Sequence, residues 1–500
     1  MTGFVLAAIA PITTPSVDWL GVAPVIALGG AGVAIVLARA LLRRSAVTTP
    51  VCVALGILGV VLAAIFEYRL WHLVRADGAI TTMAGMVRVD PFGVFLSVVV
   101  LIGTIYALFI SVAYLKRELL DAPEYLALVM LSAAGMVAII TANDLIAIFV
   151  ALEVLSIPLY VLAAFDRRRM ASQEAGLKYF VLGAFSSAVF LYGVALTYGA
   201  TGSTSLTAIG DFLANNTLYE QGTLLAGGAL LLAGLGFKVA AVPFHFWTPD
   251  VYEGAPTPVT AFMAAATKTA AFAVLIRVFS IAFPLYRTDW KPALWVLAVL
   301  TLVVGSVAAL VQTDVKRILA YSAIAHSGYI LIGFQTGTIA GRQAALLYLL
   351  IYTFMAVGTF AVIMVASMTG DDRHSLDDYR GFALQRPVLG GILIFFLLAQ
   401  AGIPLTGGFI AKLEVFSAAA QSNDYSLLVI GVLAAVVAMF FYLRIALALA
   451  SPATGGEYFS DRRVDRWSGV VVATAALAVL ATGITPGPFI DWARQAVYFV

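Results

Sequence analysis

The sequence predicts an all-α polytopic membrane protein with about fourteen transmembrane helices. Of its 500 residues, 62% are hydrophobic and only 11% are charged, against roughly 25% charged in ordinary soluble domains. Apolar runs of about 20 residues, the length at which a helix crosses a hydrocarbon core, recur from one end to the other. The connections between them are short and hold most of the charge, so no soluble domain is expected.

In order, the spans are expected at 17–42, 50–70, 91–114, 122–141, 144–165, 174–199, 222–252, 257–284, 291–312, 317–336, 341–368, 387–421, 424–450 and 467–490. Each is read as helix because a backbone in lipid must satisfy its own polar groups. Spans 7 and 12 exceed one crossing and contain breaks. Pro243 interrupts GLGFKVAAVPFHFWTPD (234–250), and AGIPLTGGF places Pro404 ahead of Gly407 and Gly408. No Lys or Arg precedes Arg39, so the basic region of a cleavable signal is missing and the N-terminus is expected to be retained. Cys52 is the only cysteine, which excludes an intrachain disulfide and a cysteine-ligated cluster. Electron chemistry is therefore not expected in this chain. The net charge of +2 gives no reason to expect nucleic acid.

Positive charge orients the spans. Connections after odd-numbered spans hold Arg39, Arg43, Arg44, Lys116, Arg117, Arg167, Arg168, Arg169, Lys316, Arg317, Arg373, Arg380, Arg386, Arg462, Arg463 and Arg466; the other side holds Arg69, Arg75, Arg88, Arg287, Lys291, Arg342 and Arg494. The richer side is expected to be cytoplasmic, which puts both termini on the periplasmic or external side; an even number of spans requires the termini to share a side, so the two readings agree.

Lysines and arginines are sorted differently. Lys178, Lys238, Lys268 and Lys412 lie within apolar spans, whereas among the arginines only Arg277 and Arg444 clearly do. A charge at the bilayer centre costs on the order of 2.5–3.5 kcal/mol even on the lenient scale, and buried lysine, unlike arginine, exchanges its proton readily. Glu153 is read as the single carboxylate well inside an early span, five residues before Pro158 as Lys238 is before Pro243. A proline removes the hydrogen bond to the carbonyl four residues earlier, which frees the carbonyls of Val154, Val239 and Gln400. Free carbonyls at this depth persist where they line protein or water, so each break offers a hydratable niche for a nearby ammonium. Paired broken helices point to a site built on inverted repeats, with spans 4–8 and 9–13 as the two units.

Several residues remain open to plainer readings. Lys178 is one turn from Glu174, so an interfacial ion pair competes with a relay role. His245 and His326 are either relay groups or histidines satisfied by nearby hydroxyls and carbonyls. Lys412 and Glu414 are two apart on a helix and need not pair. The run DDRHSLDDYRG (371–381) is most simply a solvated cytoplasmic loop.

The stretches LEVLSIPLYVL, SQEAGLKYFVLGAFSSAVFLYG, GFKVAAVPFHFWTPDVYEGAPTPVTAF, DVKRILAYSAIAHSGYILIGF and AGIPLTGGFIAKLEVF resemble the antiporter-like proton-pumping subunits of respiratory complex I, and within that family the subunit N branch. The likeness covers nearly the whole chain. It implies fourteen helices, two inverted five-helix repeats with helices 7 and 12 broken, and a central row of ionisable groups. Position by position it assigns proton transfer to Glu153, Lys238, Lys268 and Lys412, with Lys178 matching a further lysine of the family and His245 and His326 as possible bridges. It also implies residues 1–115 as three N-terminal helices, 116–286 and 287–450 as the two repeats, and 451–500 as the last helix. The expected setting is the bacterial plasma membrane, in company with other membrane-arm subunits including sister antiporter-like ones. NAD, FMN, iron–sulfur clusters and quinone are expected on other subunits, with no cofactor or metal in this chain. A multisubunit cation/proton antiporter is the alternative. The implied mechanism pairs Glu153 with Lys238 and passes a proton to Lys268 and then Lys412.

Overall fold

The computed structural model describes residues 16–43, 45, 47–216, 221–367, 370–371, 373–452 and 464–497. Residues 1–15, and Arg44, Arg462 and Arg463 from the charge count, lie outside the described residues. Among the described residues, twelve helices are long and apolar enough to cross a membrane. Spans 1–6 are Trp19–Leu42, Thr48–Asp77, Pro91–Arg117, Ala122–Thr141, Leu145–Ala163 and Met170–Thr201; spans 8–11 are Thr257–Ile281, Arg287–Val311, Val315–Gln335 and Ile339–Ala366; spans 13 and 14 are Tyr425–Ala450 and Arg466–Ile484. The two remaining spans are the broken ones. Span 7 is Gly222–Lys238 followed by Trp247–Gly254, and span 12 is Pro387–Ala401 followed by Gly407–Gln421.

Three short elements escaped the sequence reading because none contains a long apolar run. A hairpin pairs Ile80–Thr82 with Val87–Val89 between spans 2 and 3. The helices Leu206–Asn215 and Gly487–Val497 each bury only one face, through Leu206, Ile209 and Leu213 in the first and Ala493, Ala496 and Val497 in the second. Span 14 was expected to run to 490, but it ends at Ile484 and the chain restarts as helix after Pro486.

The two repeats declare themselves in their connections. Ahead of span 5, Leu145 N donates to Thr204 O (2.8 Å) and Leu206 N to Asn143 O (2.9 Å); ahead of span 10, Val315 N donates to His374 O (2.7 Å) and Leu376 N to Thr313 O (2.9 Å). The bridges Asp144–Ser205 and Asp314–Ser375 match residue for residue at one offset, and both aspartates cap the helix that follows. Five crossings separate the two bridges, an odd number, so equivalent features face opposite sides of the membrane. That is the signature of an inverted repeat.

Odd-numbered connections meet on one face. Arg117 NH1 donates to the carbonyl of Met364 (2.7 Å), Arg169 to that of Asp371, and Lys316 Nζ to that of Ala255 (2.7 Å). Even-numbered connections meet on the other, where Asn143 N donates to Met86 O (2.7 Å). Spans 8, 10 and 11 are almost wholly enclosed by the others, whereas spans 1, 2, 13 and 14 expose much of their surface. Arg277 of span 8 is fixed at the rim of this core by a bidentate pair with Asp90 (both 2.8 Å), and neither side chain is exposed.

Candidate functional site

Lys238, Lys268 and Lys412 are each about 5% exposed or less, and each is held by oxygen atoms: Lys238 by span 5, Lys268 by span 10 and Lys412 by the carbonyls at the break in span 12. Lys238 closes the first half of span 7, and its Nζ donates to Ser156 Oγ (2.8 Å) on span 5. Ser156 in turn donates to Leu152 O (2.5 Å). The ammonium also lies over the rings of Tyr160 (5.5 Å) and Tyr179 (5.6 Å), a favourable setting for a desolvated cation. A direct ion pair with Glu153 was expected and is not formed. Ser156, one turn further along span 5, takes the ammonium instead; the Glu153 charge acts on Lys238 through space, and Glu153 Oε1 is buried without a hydrogen-bond partner.

Past Lys238 the chain leaves helical geometry. Ala240 takes a left-handed backbone (φ 59°), and Val242 N is satisfied by Thr301 Oγ1 (2.9 Å) on span 9. The Val239 carbonyl, left free by Pro243, accepts from Ser327 Oγ (2.6 Å) on span 10. The same hydroxyl accepts from Lys268 Nζ (2.8 Å), which also donates to Ala323 O. Lys268 begins the helix after a π-helical turn, Met263–Thr267. Such turns reset the rotation of the residues after them and recur at functional sites. Thus one serine ties the break in span 7 to the second lysine.

Span 12 repeats the device. Lys412 Nζ donates to the carbonyls of Gln400 (2.9 Å) and Ala401 (2.8 Å), at the end of the first half-helix, and lies over Tyr329 (4.9 Å). The two halves approach so closely that a Cβ on Gly408 would stand 1.8 Å from Ala399 O, which is why the glycine is required. Leu405 holds the left-handed conformation (φ 70°) that Ala240 holds in span 7. Gln400 extends the polar row by donating to Thr359 Oγ1 (2.7 Å) and accepting from Ser322 (3.4 Å). Ser322 meets Tyr442, whose hydroxyl contacts His326 Nε2 (3.0 Å), while His326 Nδ1 meets Tyr348 (2.7 Å). The result is a line of polar groups running from Lys238 to Lys412 through an apolar core.

A family profile described as "NADH:quinone oxidoreductase/Mrp antiporter, TM" matches residues 142–438. NADH-quinone oxidoreductase subunit N of Trichlorobacter lovleyi is 42% identical over 84% of this chain and 86% of its own length. The chain belongs to the NADH-quinone oxidoreductase subunit N family. Another member, subunit N of Rhodococcus opacus, is 38% identical over 99% of both chains. Among solved structures, a chain of respiratory complex I from Thermus thermophilus with bound aureothin superposes with a TM-score of 0.79 at 35% identity, covering 94% of this chain and 99% of that one. A chain of the Mrp complex from Dietzia superposes with a TM-score of 0.83 at 21% identity, covering 96% of each chain, a likeness of fold alone. The subunit N family accounts for the multi-pass membrane architecture and makes the chain part of a multisubunit membrane complex.

Within this subunit N fold two other expected residues stand apart from the polar row. Lys178 pairs with Glu174 (2.6 Å) and Asp250 (2.6 Å) at 41% side-chain exposure, and Asp250 continues to Arg317 and Glu253 in an interfacial network. His245 lies in the break, its Nδ1 without a partner and its ring beside Phe246. Glu153 is also not the only early carboxylate, because Glu67 of span 2 is 1% exposed.

The 371–381 segment is not the solvated loop that its charge suggested. Asp371, His374 and Tyr379 are buried because the repeat bridge draws the segment inward. Asp371 accepts from Thr257 N (3.0 Å), Thr257 Oγ1 (2.8 Å), His374 Nε2 (2.9 Å) and Tyr114 (3.3 Å), with Arg169 and Lys316 at 3.5 and 3.7 Å. Burial alone would push its carboxyl up, but Lys316, His374 and Arg169 outweigh burial and hold it well below the usual range. Sequence reasoning found the Gln400 carbonyl through Pro404 but missed its side chain, along with Ser156, Ser322, Ser327 and Tyr442, for which the only available signal was a polar residue in mid-span.

Proposed function

We propose that protons cross this chain along Lys238, Lys268 and Lys412, with Ser156, Ser327, Gln400 and the His326–Tyr442 pair orienting the groups between them. As a member of the subunit N family the chain is an antiporter-like, proton-translocating membrane subunit of NADH-quinone oxidoreductase, coupled to quinone reduction elsewhere in the complex. NAD, FMN, iron–sulfur clusters and quinone belong to other subunits in this reading, and the neighbours in the membrane arm include sister antiporter-like subunits. Residues 116–286 and 287–450 are the two transport units, flanked by 1–115 and 451–500. The arginine-rich odd connections face the cytoplasm of a bacterial cell, and both termini face outward.

The observation that carries the reading is that three ammonium groups sit in an apolar core, each held by oxygens: Lys238 at the end of the first half of span 7, Lys268 through the serine that also satisfies the Val239 carbonyl, and Lys412 on the carbonyls at the break in span 12. An opposite charge within reach favours the ammonium form, and its withdrawal favours proton release. Glu153 supplies that charge to Lys238 through space, so a shift of span 5 against span 7 gates the first transfer. Water entering the two niches carries the proton onward between lysines.

The test is to insert complexes bearing Lys238→Ala or Lys412→Ala into vesicles and measure protons pumped per NADH oxidised. Both are expected to pump less per NADH, and an unchanged ratio in both rejects the relay. Glu153→Gln is expected to follow Lys238→Ala.

A further inference from the structure

Glu414 puts a carboxylate on the outer side of a membrane helix. It lies on the second half of span 12, Gly407–Gln421, two residues from Lys412, so the two side chains point to different sides. Lys412 is buried in the polar row, whereas Glu414 is partly exposed and Ser417 and Gln421 are exposed. At offsets of three and seven residues these three form one polar stripe. Gln421 Nε2 donates to Ser417 Oγ (3.1 Å), so those two serve each other. Glu414 has no hydrogen bond or ion pair among the described residues, and its oxygens are not sealed in the interior as Glu153 Oε1 is. Arg494 of the terminal helix acts on it through space, but the guanidinium of Arg494 is engaged by Asp491 (3.3 Å).

We infer that this outer face of span 12 seats a neighbouring membrane subunit, with a lysine or arginine of that subunit paired to Glu414. Acyl chains offer a carboxylate nothing, and charge in hydrocarbon is costly enough that such groups face protein or water. Gln421 ends the half-helix seven residues beyond Glu414, about 10 Å along the axis. That is further than a glutamate side chain extends, so the carboxylate lies below the amines of lipid headgroups and a protein cation is favoured over a lipid one. A basic side chain on an adjoining helix supplies charge-assisted bonds at that depth, and membership of a multisubunit membrane complex supplies the adjoining helix. The inference rests on that membership and not on the proton route. The half-helix is then held from two sides, by Lys412 on the Gln400 and Ala401 carbonyls within and by the neighbour's cation without. A displacement of the neighbour is thereby felt at Lys412.

The test uses the intact complex, extracted in mild detergent and challenged with rising detergent, with the subunits that stay with this chain counted by mass spectrometry. Glu414→Gln keeps the shape and removes the charge; one neighbouring membrane subunit is expected to dissociate about tenfold faster or more, as loss of a charge-assisted pair implies. Because Glu414 shares its half-helix with Lys412, a second variant is needed: Ser417→Trp adds bulk to the exposed stripe, leaves Glu414 in place, and is expected to release the same subunit. Retention at the wild-type level in either variant overturns the inference. A density map of the whole complex is expected to show a neighbour's basic side chain on Glu414; Arg494 of this chain in that place, or lipid alone, overturns it as well.

Discussion

Replacing Ser327 with alanine removes a single oxygen and tests the centre of the polar row. In the native chain that oxygen accepts from Lys268 (2.8 Å) and donates to Val239 O (2.6 Å), the carbonyl that Pro243 leaves free. In Ser327→Ala, Lys268 keeps only the Ala323 carbonyl, and Val239 O loses the side chain that satisfied it. A hydrogen bond to a charged group contributes about 1.5–3 kcal/mol. At about 1.4 kcal/mol per factor of ten, misplacing Lys268 by that amount slows transfer through it by roughly tenfold to a hundredfold. The assay is proton pumping per NADH in sealed vesicles, read with an internal pH dye, alongside NADH oxidation in leaky vesicles and a thermal melt of the complex. Ser327→Thr keeps the hydroxyl and serves as the rescue. Pumping per NADH should fall in Ser327→Ala and recover in Ser327→Thr while the melts stay comparable. Full pumping in Ser327→Ala would refute the claim that this serine sets the position of Lys268.

Gly408→Ala forces a methyl against Ala399 O; overpacking of this kind costs about 1–3 kcal/mol, and the expected result is reduced pumping per NADH with NADH oxidation by a soluble acceptor unaffected. Arg277→Ala takes from buried Asp90 its bidentate partner and leaves only Arg88 Nε, at 3.4 Å, beside it, for a loss of up to about 3–5 kcal/mol that thermal melts should show. Asp371→Asn should lower the melting temperature near neutral pH. The carboxyl of Asp371 is held below its unfolded value, so its contribution is complete above about pH 4 and disappears as pH falls through the lowered folded value. Wild-type melts should therefore show an acid-dependent loss that Asp371→Asn lacks.

Much of this arrangement could be read before any coordinates. Lys238, Lys268 and Lys412 stand out because charge in an apolar run has no cheap explanation, and Pro243 and Pro404 mark the breaks because proline has no amide hydrogen to give. The partners could not be read in the same way. Ser156 and Ser327 are ordinary residues in a membrane helix until tertiary packing brings them to an ammonium on another span, whereas the Gln400 carbonyl that holds Lys412 was marked by Pro404. The direct contact to Lys238 comes from Ser156 and not from Glu153: the two stand one turn apart on span 5, and sequence cannot rank them. The 371–381 segment was misread because Asp371 is paired by Arg169 and Lys316, which are distant in sequence and adjacent only once the repeats fold.

The two breaks place their lysines at a particular electrical address. Lys238 is the last residue of one half-helix, and Lys412 reaches back to the last carbonyls of another. Aligned peptide dipoles give such an end about half a negative charge. A proton on Lys412 is therefore also a cap on a helix, and its departure uncaps that end. Protonation and the mechanical tension of the half-helix become a single variable, which lets a movement elsewhere in a large assembly be registered here as a change in charge.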